Sequence, residues 1–179
     1  YGYICAKAGD KETGAVNADS ALQRLGSVED PVVRVRVLAL LGSIYEAAGS
    51  EGRSREILQK AVDEAEASQD LDCLATAYSE IGYHMHFGGE HEAASKLLEK
   101  AATYLERRGD MTALSHALVT LGMAYSDCGE LEKSLASLKR ALGLARKIGN
   151  SLHMASILGN IGYTLAMMGR HDESLEYQA

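Results

Sequence analysis

Three histidines, His84, His86 and His91, lie close along the chain to Cys73 and Glu90, a set of nitrogen, sulfur and oxygen donors of the kind that holds a divalent metal. Their spacing argues against it. His84 and His86 are two apart on a helix and face different sides, and His91-Glu92 lacks the second histidine that a zinc-protease helix carries four residues on. We therefore expect scattered histidines, no metal site and no cofactor. Cys5, Cys73 and Cys128 are odd in number and widely separated, with no cysteine pair at redox spacing, which points to reduced intracellular thiols rather than a disulfide framework. Gly159-Asn160-Ile161-Gly162 is not a phosphate loop, because no lysine follows it and no strand precedes it. No Ser/His/Asp order can be argued either, so no catalytic constellation emerges and the chain is not expected to be an enzyme.

The elements that carry these residues are constrained by composition. The 179 residues are 46% apolar and 24% charged, with one proline, no tryptophan and 18 glycines. That apolar content excludes a disordered chain, and no run approaches the ~18 apolar residues of a membrane helix. A single proline disfavours an all-β sandwich or barrel. The net charge of −7, with no Lys/Arg run, disfavours nucleic acid as a direct partner. No segment has the form of a signal peptide, and a cytoplasmic setting is expected. The chain opens on Tyr1 and closes in mid-pattern at Glu176-Tyr177-Gln178-Ala179, from which we expect an excerpt of a longer protein.

Laid in rows of forty, the sequence aligns without a gap. Gly2, Gly42, Gly82, Gly122 and Gly162 share one column, and Gly9, Gly49, Gly89, Gly129 and Gly169 another; together they hold ten of the 18 glycines. Asp30, Asp70, Asp110 and Asn150 form a column of helix N-caps, with Pro31 at the first helical position. From each cap a helical pattern of about eighteen residues runs to the Gly49-type column, where a left-handed residue closes the helix. A second helix follows to the next cap, with Ile57, Leu58, Ala61 and Ala65 on one face. Recurrent mid-helix glycines at the Gly42 register predict close helix–helix approach, since each costs about 1 kcal/mol against alanine. Cys5, in the column of Tyr45 and Tyr125, is expected to be a buried hydrophobe. The unit is a helical hairpin, repeated.

In this frame Leu41-Gly42-x-x-Tyr45 and Leu121-Gly122-x-x-Tyr125, with Ala61 and Ala141 downstream, resemble the tetratricopeptide repeat (TPR). The family's large residue three before the Leu-Gly pair matches Leu38, Tyr78, Leu118 and Leu158. Its small residue in the second helix matches Ser54, Ala94, Ser134 and Ser174, and its later large residue Leu58, Leu98 and Leu138. The period of forty and the absence of a closing proline depart from the usual thirty-four-residue unit and predict longer helices. The resemblance implies an all-α, right-handed α-α superhelix, a TPR solenoid of antiparallel hairpins. Residues 1–179 form a single array: full repeats at 30–69, 70–109 and 110–149, a partial repeat at 1–29 and a truncated one at 150–179.

The same resemblance implies a concave groove lined by the first helices. Carried over by register, its partner-binding residues are Arg36, Ser43, Glu46, Ser79, Tyr83, His86, Phe87, His116, Met123, Ser126, Asp127, Tyr163 and Met167. Tyr83, Phe87, Met123, Tyr163 and Met167 suit apolar anchors of a peptide or helix; the alternative for Phe87 and Met167 is burial under the neighbouring second helix. His86 and His116 would make a contact sensitive to pH. The position after the glycine is Ser43, Tyr83, Met123 or Tyr163 and never Asn, which argues against a carboxylate clamp. Lys133, Lys139, Arg140, Arg146 and Lys147 fall on a second helix and are expected to be a solvated face. The implied function is non-catalytic protein–protein interaction, with a protein or peptide partner and no membrane. Two alternatives stand beside it: an effector-sensing domain of a multidomain transcription activator that binds a small molecule, and a self-assembly scaffold forming end-to-end homodimers.

Overall fold

The computed structural model describes residues 10–178, which form nine helices. Tyr1, Gly2, Cys5, Gly9 and Ala179, and the expectations attached to them, lie outside the described residues. In chain order the helices are α1 (Lys11–Leu25), α2 (Pro31–Ala47), α3 (Glu51–Ser68), α4 (Leu71–Phe87), α5 (His91–Arg108), α6 (Met111–Asp127), α7 (Leu131–Ile148), α8 (Ser151–Met167) and α9 (His171–Gln178). First helices have 17 residues and complete second helices 18, close to the expected lengths. The leading second-helix equivalent, α1, has only 15.

The cap column behaves as its chemistry requires. Asp30 accepts from the backbone N–H of Val32 and Val33, Asp70 from Asp72 and Cys73, Asp110 from Ala113, and Asn150 from His153. Pro31 is the first residue of α2. The closing glycines take the left-handed conformation at Gly49, Gly89, Gly129 and Gly169, with φ between 75° and 86°. At Gly129 the chain turns through hydrogen bonds from Gly129 N to Ser126 O and from Glu130 N to Tyr125 O, which satisfy carbonyls the helix leaves open. The second helices close in the same way at Gly109 and Gly149, while Gln69 holds that conformation at φ 53° without being glycine.

The chain divides into two compact units, Tyr1–His84 and Met85–Ala179, with α4 running through the boundary. In the first unit α1 packs on α2 and α2 on α3. Its core is Val35, Leu38, Leu41 and Tyr45 against Ile57, Leu58, Ala61 and Ala65. Arg34 fixes this arrangement with a bidentate pair to Glu64 at 2.8 and 2.9 Å and a bond to Leu25 O at 3.0 Å. In the second unit α5 packs on α6, α6 on α7, α7 on α8 and α8 on α9. Leu98, Leu118, Leu138, Ile157, Ile161 and Leu165 form its core. At Gly42 and Gly122 helices approach closely: a Cβ at Gly42 would run into Leu58, and one at Gly122 would lie 2.7 Å from Leu138. The expected close approach is thus observed at both. Lys133, Lys139, Arg140, Arg146 and Lys147 are exposed, as a solvated face requires.

Candidate functional site

The register-derived groove residues separate into buried and presented groups. On the first unit, Arg36 and Tyr83 are exposed, and Glu46 and Ser79 are half-buried. Ser43 is buried and donates to Leu40 O at 2.8 Å. On the second unit, Phe87, His116, Asp127, Tyr163 and Met167 are exposed and Met123 is half-buried. Ser126 is buried and donates to Met167 Sδ at 3.4 Å, and His86 is only 4% exposed. Ser43, His86 and Ser126 therefore face protein rather than solvent.

The alternative that Phe87 and Met167 are buried does not hold, since they are 60% and 47% exposed. With Tyr163 at 58%, they leave apolar side chains presented at the end of α4 and along the last turns of α8. Between α6 and α8 a cleft of ≈ 100 Å³ is lined by Met123, Ser126, Asp127, Leu138, Asn160, Tyr163 and Thr164. Its lining mixes apolar and aromatic side chains with hydroxyl and amide groups and one carboxylate. His116 lies against His153, ring centroids 4.1 Å apart, and His153 Nε2 is 3.0 Å from Ser115 Oγ. Burial, reinforced by His116, pushes the His153 imidazole below its ordinary value.

The expectation of scattered histidines fails for two of them. His86 Nδ1 and His91 Nδ1 are 3.3 Å apart, and Asp127 Oδ2 lies 3.6 Å from the first and 3.5 Å from the second. These three are a group of ligand-type side chains whose donor atoms converge. Burial lowers the His86 pKa, partly opposed by Asp127, so the neutral imidazole is favoured. Residues two apart on one helix do point to different sides, but the cluster draws on three helices. His84 and Cys73 do not join it; His84 Nε2 is buried without a hydrogen-bond partner. A sequence signal did exist: in the forty-residue columns His86 aligns with Glu46, Ser126 and Ala166, and Asp127 with Ala47, Phe87 and Met167.

Among the described residues, no helix is long and apolar enough to cross a membrane. Among solved structures, the chain is similar to a signal transduction ATPase with numerous domains and a tetratricopeptide repeat sensor from Pyrococcus horikoshii. That match has 17% identity and a TM-score of 0.78 over 98% of this chain, but spans only 28% of the ATPase. It is also similar to BtubC from P. vanneervenii, with 16% identity, a TM-score of 0.80, and coverage of 98% of this chain and 73% of that one. MamA matches at 22% identity and a TM-score of 0.65, covering 99% and 90% of the two chains. No curated protein matches in sequence. Identities this low speak to the fold, an all-α helical-repeat superhelix. Tetratricopeptide-repeat family models match residues 35–68 and 113–179, more than half the sequence between them, and the chain belongs to the tetratricopeptide repeat family.

Proposed function

We propose that the α6–α8 face binds a peptide or helical segment of a protein partner, with one apolar side chain seated beside Met123 and Tyr163. TPR proteins are in general non-catalytic interaction modules, and the family points to protein partners. The observation that carries the finer reading is the exposure of Tyr163, which lines the ≈ 100 Å³ cleft, with exposed Met167 against Ser126 of the same lining. Exposed aromatic and Met side chains beside a pocket are the anchors interfaces use. The carboxylate of Asp127 in that lining favours a basic group next to the anchor. Residues 1–179 are taken as one array, with Arg36, Glu46, Ser79, Tyr83 and Phe87 as further partner contacts, and the setting is intracellular.

A second reading, a sensor domain for a small effector in a larger regulator, is favoured by the likeness to the Pyrococcus ATPase, whose tetratricopeptide repeats are a sensor. The cleft is small for it, because ligand pockets run to about 300–1,000 Å³. A nucleotide-binding or helix-turn-helix segment adjoining this chain would favour the sensor. Affinity capture from the source cells with wild-type and Tyr163→Ala chains tests the main reading. The partner is expected to be retained by the wild type and weakened about tenfold or more by Tyr163→Ala and by Tyr83→Ala. Undiminished binding by both variants overturns the assignment.

A further inference from the structure

We propose that His86, His91 and Asp127 form a binding site for a divalent transition metal, zinc being the ion the donor set suits. Two imidazoles and one carboxylate are borderline ligands matched to zinc, and three protein ligands leave at least one coordination position open.

The spacing of the donor atoms suits a metal ion. The separations of 3.3, 3.5 and 3.6 Å join the same three atoms, so the point equidistant from them lies about 2.0 Å from each. Zinc–nitrogen and zinc–oxygen bonds are about 2.0–2.2 Å. An ion placed there needs no movement of the backbone.

The three ligands come from separate elements. His86 lies in the last turn of α4, His91 opens α5, and Asp127 ends α6. Two helix C-termini and one N-terminus therefore converge, and the excess of C-terminal carbonyl dipoles favours a cation. His86 is buried, and its ring lies edge-on to Phe87 with centroids 4.8 Å apart. The side chains of His91 and Asp127 are 34% and 41% exposed, which gives an ion a route in and a solvated open position.

Packing alone does not call for these residues. One repeat on, the same register carries Ser126, Leu131 and Met167, and the contact is made by Ser126 Oγ with Met167 Sδ at 3.4 Å. One repeat back it carries Glu46, Glu51 and Phe87. Only at this junction do all three positions hold metal-ligating side chains.

The test is zinc titration of the chelator-treated chain by calorimetry, with zinc chloride as the probe. One equivalent is expected to bind, with His91→Gln and Asp127→Asn each weakening it about tenfold or more and His116→Gln leaving it unchanged. Both informative positions are partly exposed, and circular dichroism checks that the variants fold. The histidine ring signals of the wild type give a readout independent of any variant. On addition of zinc, those of His86 and His91 shift at one equivalent while those of His153 and His171 stay. Zinc bound no better by the wild type than by the His91→Gln/Asp127→Asn double variant, or ring shifts at His116 and His153 instead, overturns the proposal. The cluster is then a histidine pair beside a carboxylate and nothing more.

Discussion

Replacing Gly122 by alanine should destabilise the second unit, although alanine is the better helix former. A Cβ at this position would sit 2.7 Å from Leu138 Cγ, 2.9 Å from its Cδ2 and 3.3 Å from the main-chain oxygen of Ser134. Cγ is a branch point, so rotating the terminal methyls does not relieve the shortest contact. Leu138 is 1% exposed and has nowhere to retreat, and the Ser134 carbonyl belongs to α7 itself. Overpacking a filled core costs about 1–3 kcal/mol, while the change from glycine to alanine in a helix gains about 1 kcal/mol. The clash should win by up to about 2 kcal/mol.

Gly143 supplies the matched control. It lies within the same helix, α7, is exposed, and has nothing within 4 Å of an added Cβ. Only the propensity gain applies, so Gly143→Ala should stabilise by up to about 1 kcal/mol. In a chain of this size that is a shift of roughly 2–4 °C in Tm per kcal/mol. Thermal and urea unfolding followed by circular dichroism compare the three chains. Amide exchange of α6 and α7 localises the effect, which matters because repeat arrays need not unfold in one step. If Gly122→Ala matches or exceeds the wild type, or both variants shift the same way, the close-approach account of the glycine column is wrong.

Two further outcomes follow from the backbone and from titration. Gln69 closes α3 at φ 53° where its repeat equivalents are Gly109 and Gly149. The left-handed conformation costs an L-residue about 1–2 kcal/mol, so Gln69→Gly should stabilise by about 0.5–1 kcal/mol after glycine's greater unfolded-state entropy, and a lowered Tm refutes this. His153 has its folded pKa lowered by burial and by His116. Below the unfolded value of about 6.5 the unfolded chain therefore takes up a proton that the fold resists. The stability this group lends is complete above that pH and is lost as pH falls towards the folded value. Urea unfolding at pH 7.5 and 5.5 should show a smaller loss for His153→Gln than for the wild type, and an equal loss contradicts it.

The repeat was legible in the sequence because each hairpin solves the same local problem with the same residues. Asp30, Asp70, Asp110 and Asn150 must cap a helix, and Gly49, Gly89, Gly129 and Gly169 must turn left-handed, whatever their neighbours do. Gly42 and Gly122 were readable as contact points because a mid-helix glycine needs a reason, and Leu58 and Leu138 are that reason. Such features are set within one hairpin, and a forty-residue column displays them directly.

What the sequence left undecided depends on which side chains from different hairpins meet. Register assigned His86, Ser43 and Ser126 to a presented face, yet all three are buried in the folded chain. Register also left Phe87 and Met167 open between burial and exposure, and tertiary packing leaves them to solvent. His86, His91 and Asp127 are separated along the chain and fall in different columns, so no one-helix rule could join them. Periodicity fixes the direction of a side chain relative to its own helix axis. Only the packing of α4, α5 and α6 turns three such directions toward one point.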